Sequence, residues 1–148
     1  MPTLSTNKYA RYSYNILDEF EAGIVLTGAE VKSAKSGQIN LKGSYVSIHQ
    51  EKPVLVNCHI APYALAKGTL KHYQPTHTRL LLLKRNQIKS LIGKSLTQGL
   101  TLIPLSVYTK GSFIKLKIGI GRGKKKADKR SAIKKREANR RIRRAMKR

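Results

Sequence analysis

Tryptophan is absent from this chain, phenylalanine occurs twice and cysteine once. A single thiol, Cys58, excludes an intrachain disulfide and cannot assemble a cysteine-based zinc site. It fits a reducing, cytosolic setting, and with no neighbours that mark a nucleophile it reads as a small buried hydrophobe. Acids are nearly as scarce, 7 Asp+Glu against 31 Lys+Arg. Metal-dependent phosphoryl chemistry needs converging carboxylates. The candidates before residue 122 are Asp18, Glu19, Glu21, Glu30 and Glu51. Asp18 and Glu19 are adjacent, near an expected turn where solvation explains them, and Glu30 is explained by a helix cap. The histidines, His49, His59, His72 and His77, include no i, i+4 pair to hold a metal. No catalytic residue, metal or cofactor is expected. Long apolar runs are missing too. The longest, Leu80–Leu83, is far short of the roughly 20 residues of a membrane span. The opening MPTLSTNKYARYSYN has no apolar h-region, so no secretory leader is expected.

What the chain has is positive charge. Residues 122–148 hold 15 of the 31 bases and two of the seven acids, Asp128 and Glu137, so they carry +13 of the net +24. Dense like charge resists folding alone and seeks a polyanion, which releases counterions when its phosphates are neutralised. RNA or DNA is therefore the expected partner. A membrane surface is disfavoured, because the tail has no Trp or Phe and its large apolar residues are Ile133, Ile142 and Met146. From Lys129 onward there is no Gly or Pro, and Asp128 can cap. A helix over 129–148 would be roughly 30 Å long. The tail is expected to be disordered when free and helical once phosphates remove its self-repulsion.

The preceding residues, 1–121, are expected to form one domain that buries roughly two-thirds of its unfolded surface. Residues 1–10 read as polar and mobile. Tyr14–Leu26 reads as a strand. Thr27-Gly28-Ala29-Glu30 is a capping-box pattern opening a short helix to about Ser36, stopped by Gly37. Ser44–His49 and Pro53–Ile60 read as strands around a Gln50-Glu51-Lys52 turn. Ala61–Thr78, with Pro62 and Pro75, reads as a long loop. Arg79–Leu83 reads as a buried strand, and Asn86 as the cap of a helix through Ile88, Leu91 and Ile92 to Gly99. Leu100–Tyr108 and Ser112–Ile120 flank a Lys110-Gly111 hairpin signal.

Strands outnumber helices and there is no βαβ alternation. The reading is mostly β: a small antiparallel barrel with one or two short helices and a basic tail. Gly119-Ile120-Gly121-Arg122-Gly123 reads as a flexible hinge between barrel and tail. Two features point to RNA. Tyr9, Tyr12 and Tyr14 interleave with Lys8 and Arg11, a pattern suited to stacking on unpaired bases while holding phosphates. Lys115 and Lys117 alternate with the apolar Ile114, Leu116 and Ile118, placing them together on one strand face.

Read in order, several segments resemble the small protein B (SmpB) family of bacterial trans-translation. They are Asn7-Lys8-x-Ala10, Phe20-Glu21-Ala22-Gly23-Ile24, Leu26-Thr27-Gly28-x-Glu30-Val31-Lys32-Ser33, Ser44-Tyr45-Val46, Ile60-Ala61-Pro62-Tyr63, Leu81-Leu82-Leu83, Lys115-x-Lys117-Ile118-Gly119 and Gly123-Lys124-Lys125-x-x-Asp128-Lys129-Arg130. The resemblance implies an OB-type barrel that grips the tRNA-like end of transfer-messenger RNA. It implies a cytoplasmic, monomeric adaptor that carries that RNA into stalled ribosomes, at the small-subunit decoding centre and mRNA channel. Residues tied to RNA binding map onto Asn7, Glu21, Leu82 and Lys115, and Lys32 falls in a matching block. The tail, including Lys124, Lys125, Asp128, Lys129, Arg130 and Met146, would sense the empty mRNA channel and become helical. Two departures stand out. Tyr12 occupies a position where many relatives have His, and Ala127 one where relatives often have an aromatic. The competing reading is a structural ribosomal protein with a basic extension.

Overall fold

Two long alternating segments form the centre of the sheet in the computed structural model, which describes residues 2–63 and 72–124 together with Arg136, Glu137 and Arg140. Strand β2 (Tyr14–Ile24) pairs antiparallel with β9 (Phe113–Gly123) along nearly its whole length. In chain order the other elements are β1 (Thr3–Thr6), α1 (Ala10–Ser13), α2 (Gly28–Lys35), β3 (Ile39–Asn40), β4 (Tyr45–His49), β5 (Lys52–Val56), β6 (His59–Ile60), β7 (Arg79–Leu82), α3 (Arg85–Gln98) and β8 (Thr101–Lys110). Seven strands form one antiparallel sheet in the order β1-β8-β9-β2-β7-β5-β4, and β3 pairs with β6. β4 comes back beside β8, which rolls the sheet into an OB-type barrel. Inward positions of the alternating strands supply the core, among them Ala22, Leu55, Val107, Leu116 and Ile118. Each such large aliphatic contributes about 1.5–3 kcal/mol by burial.

Local chemistry explains the helix ends. The Thr27 hydroxyl accepts from the Glu30 amide at 3.2 Å, and the Glu30 carboxylate accepts from the Thr27 amide at 3.1 Å. This is the reciprocal cap that the sequence predicts. α3 starts two residues early. Its N-cap is Lys84, whose amide donates to the Gln87 side chain at 3.1 Å. Asn86 instead sits inside the first turn and accepts from the Gln87 amide at 2.8 Å. α3 ends at Gly99, in the left-handed conformation (φ 62°).

Several further expectations need correction. The N-terminal segment is structured: Thr3–Thr6 adds an edge strand to β8, and Ala10 is buried against Ile103 and Leu105. Pro53–Ile60 is two strands in different sheets, broken at Asn57 with φ 63°. β7 is buried on one face alone, with Leu80 and Leu82 outside and Arg79 inside. Asp18 and Glu19 lie in mid-strand beside an irregularity in the β2–β9 register, not at a turn. Three helices are present among the described residues of 2–124, one more than the upper expectation, and α1 is only four residues long.

The 119–123 segment is paired strand, not a hinge. β9 runs to Gly123, and Lys124 then donates its amide to the Ser13 carbonyl at 2.8 Å. A Cβ on Gly121 would lie 2.2 Å from the Asn15 carbonyl oxygen. Glycine there permits close approach of two backbones. Of the tail, Arg136, Glu137 and Arg140 are helical and exposed. The expectations for Lys125, Asp128, Lys129, Arg130 and Met146 lie outside the described residues.

Candidate nucleic-acid interface

Register brings distant candidates onto one outer row of the sheet. Lys115 on β9 faces Gly23 on β2 and Tyr108 on β8, and Gly23 in turn faces Leu82 on β7. A Cβ on Gly23 would meet the Leu82 Cβ at 3.3 Å. The missing side chain therefore lets Leu82 lie close over β2 while remaining 62% exposed. The Lys115 ammonium stands 5.6 Å from the centroid of the exposed Phe113 ring. This cation–π contact orients the ammonium. Among the described ion pairs none involves Lys115, so its charge stays available.

The adjacent row is Glu21, Lys117 and Ser106. Lys117 sits 3.7 Å from the Glu19 carboxylate, whose other oxygen pairs with Arg11. These two bases are therefore partly neutralised, and Arg11 is tied to the same face through Glu19. Glu21 accepts hydrogen bonds from the Tyr108 hydroxyl and, at 3.3 Å, from the Lys110 ammonium. The Tyr108 bond, together with the charges of Lys110 and Lys115, outweighs the opposing effect of burial and holds the Glu21 carboxyl below the usual range. Burial first, then Glu21, pushes the Tyr108 hydroxyl up. An acid on a cationic face is thus explained. Glu21 fastens β2 to β8 through Tyr108 and does not stand free to repel phosphate. Tyr108 was not singled out from sequence. The alternation Ser106, Tyr108, Lys110 on β8 is the signal that places it beside Lys115.

Other candidates lie elsewhere. Asn7 clamps the N-terminal segment to β8, donating its amide to the Leu105 carbonyl at 2.8 Å and its side chain to the Pro104 carbonyl at 2.9 Å. Lys8 is exposed and Tyr12 is half-buried. Tyr9 is 58% exposed, whereas Tyr14 packs against the buried Ala10–Ile103–Leu105 group. Lys32 belongs to α2, with its ammonium 5.8 Å from the Tyr63 ring centroid. Cys58 is fully buried, and desolvation pushes its thiol up to about 11. Among the described residues no group of three or more His, Cys, Asp or Glu is placed to hold a metal ion. No described helix is long and apolar enough to cross a membrane.

An OB-type barrel with a row of cation, glycine and exposed leucine across its sheet defines a nucleic-acid-binding barrel protein. Comparison with known proteins narrows this class. The family model described as SmpB protein matches residues 4–148. A protein named SsrA-binding protein from Trichormus variabilis is 48% identical over 144 residues, covering 97% of this chain and 92% of the relative. Its namesake from Streptococcus suis is 49% identical over the same length and the same shares. A solved structure described as "tmRNA-SmpB: a journey to the center of the bacterial ribosome" superposes with a TM-score of 0.65 at 37% identity, covering 86% of this chain and 92% of that one. The chain belongs to the SmpB family.

Proposed function

We propose that this protein is a noncatalytic, cytoplasmic adaptor that binds the tRNA-like domain of transfer-messenger RNA and delivers it to stalled ribosomes. The observation that carries this reading is the Leu82–Gly23–Lys115 row. It combines a cation that belongs to none of the described ion pairs, an exposed apolar side chain and a glycine that lets the two strands' groups lie close on a rigid barrel. Lys115 takes a phosphate, and Leu82 packs against a ribose or base. Glu21 acts through Tyr108 and Lys110 by fixing the strands beneath the row. Arg11 and Lys117 flank it. Asn7 holds the N-terminal block against β8, so that Lys8 is presented from the turn before α1 and Tyr12 from α1 itself, while Lys32 contributes from α2. The relatives' name, SsrA-binding protein, supports this choice of RNA, and the likeness to a tmRNA–SmpB structure supports the ribosome as second partner.

The barrel, ending at Lys124, and the tail beyond it divide the work. The barrel selects the RNA. The tail, with Lys125, Asp128, Lys129, Arg130 and Met146, engages the small-subunit decoding centre and empty mRNA channel. Ala127 offers no aromatic face there, so contact at that point falls to the neighbouring lysines. The reading is tested by titrating full-length protein against labelled tRNA-like domain in the presence of excess bulk tRNA. Retention of the labelled RNA is expected. Equal displacement by bulk tRNA would reduce the protein to a nonspecific polycation. Stoichiometric copurification with every translating ribosome would favour a structural ribosomal protein.

A further inference from the structure

The row of Leu82, Gly23 and Lys115 has a neighbour on its other side. β5 pairs with β7 so that Val54 faces Leu80 and Leu55 faces Arg79. Carrying that register two residues on brings the exposed Lys52 level with Leu82. Lys52 also lines a groove of about 510 Å³ between the β4–β5 turn and α3. Two more bases line it, Arg85 and Lys89, one helical turn apart. Ile88 and Ile92 supply its apolar wall, and Glu51 is its one acid. Among the described ion pairs none involves Lys52, Arg85 or Lys89. By contrast Arg11, Arg79, Lys110 and Lys117 each have a carboxylate partner. Three unpaired cations in one groove repel each other, and an incoming anion relieves that repulsion.

We propose that the RNA track continues past Leu82 into this groove, where Lys52, Arg85 and Lys89 take phosphates of the same RNA that Lys115 holds. Lys115 and Lys52 stand three strand spacings apart, about 14 Å at about 4.8 Å each. The span from Arg85 to Lys89 adds about 5–6 Å. This length suits several consecutive nucleotides, within the range of about 4–16 that one OB-type barrel engages. Between the two cationic ends lie Gly23 and Leu82, with no acid in the row. A backbone crossing there meets apolar surface and is gripped at both ends. Ile88 and Ile92 support the aliphatic stems of the groove's bases.

This inference rests on the RNA-binding reading above, and the experiment separates the two. Full-length wild type, Lys115→Ala, Lys52→Gln and the double variant Arg85→Gln/Lys89→Gln are titrated with the labelled tRNA-like domain across a salt series. Wild type is expected to prefer that RNA over bulk tRNA. The double variant is expected to bind roughly tenfold more weakly at low salt, with a log K against log salt slope shallower by about two. Lys52→Gln should lower the slope by about one. Thermal unfolding of each variant is measured alongside. Both substitutions in α3 replace exposed bases, and unchanged melting shows that any loss belongs to the interface. If wild type shows no preference, the functional reading itself fails. If wild type prefers the RNA and Lys115→Ala binds it more weakly with a shallower salt slope, but the groove variants bind RNA like wild type, the track ends at Leu82 and this proposal is overturned. Loss of affinity for ribosomes alone in the groove variants would overturn it equally.

Discussion

Arg79 is fully buried and donates from Nε to the carboxylate of Glu30, 2.8 Å away and 49 positions earlier in the chain. Burying two charges costs several kcal/mol per ion unless every donor and acceptor is used. Here they are used. The remaining guanidinium hydrogens go to the carbonyls of Cys58, Pro75 and His77 and to the Tyr73 hydroxyl. Glu30 also accepts from the Thr27 amide and Tyr73 hydroxyl and pairs with the His77 ring. Among the described residues no buried side-chain nitrogen or oxygen lacks a partner. The network ties α2, residues 73–78 and β7 together, and so fixes the strand that carries Leu82.

Removing one partner leaves the other charged and buried. Arg79→Ala is expected to lower unfolding free energy by about 3–5 kcal/mol, read from the urea midpoint. Arg79→Met combined with Glu30→Gln should recover part of that loss, since no bare charge remains. A single-variant loss below about 1 kcal/mol would show that the pair does not hold the fold.

The same carboxylate sets an acid limit. Burial pushes Glu30 up, but the Thr27 amide and the Arg79 guanidinium outweigh it and leave the group below the ordinary range. With the folded pKa depressed, the ionised form stabilises the fold fully above the unfolded value of about 4.3. That contribution is lost as pH falls from there through the folded pKa. Wild type should therefore lose stability more steeply than Glu30→Gln over this window. Parallel curves would mean that the ionised group contributes nothing specific.

Glycines at the end of β9 separate packing from flexibility. Gly121→Ala places a methyl 2.2 Å from the Asn15 carbonyl, whereas Gly123→Ala meets nothing within 4 Å. The first should cost about 3 kcal/mol or more by overpacking, and the second almost nothing. Equal, small effects in thermal melts would restore a hinge at 119–123.

That segment shows where sequence reading stops. Alternation identified β2, β8 and β9, and the Thr27–Glu30 spacing identified the cap, because these signals are local. The pairing of Gly121 with Ile16 and Asn15 with Arg122 is not local, and glycine looks the same whether it loosens a chain or lets another approach. Arg79 was hidden for a similar reason. It begins a leucine run, and its buried side chain is explained by acceptors tens of residues away. Lys115 and Lys117 were recognisable as one face, but their difference depends on Glu19, which only β2–β9 register brings near.

The β4–β5 turn carries strain that can be removed. Gln50 and Glu51 both adopt positive φ, 50° and 62°, the pattern of a two-residue turn that favours Asn-Gly. Gln50→Asn with Glu51→Gly should raise stability by about 1 kcal/mol in chemical denaturation. No gain would mean that the turn is held by contacts worth as much as the strain.

The central claim is that the barrel selects the RNA and the tail serves the ribosome. The most direct measurement compares the full chain with one ending at Lys124, each assayed for competition-resistant binding to the tRNA-like domain and for rescue of stalled ribosomes. The account predicts that the shortened protein keeps its preference for the RNA and loses rescue. Loss of the preference on removing the tail, or normal rescue without it, would contradict the account.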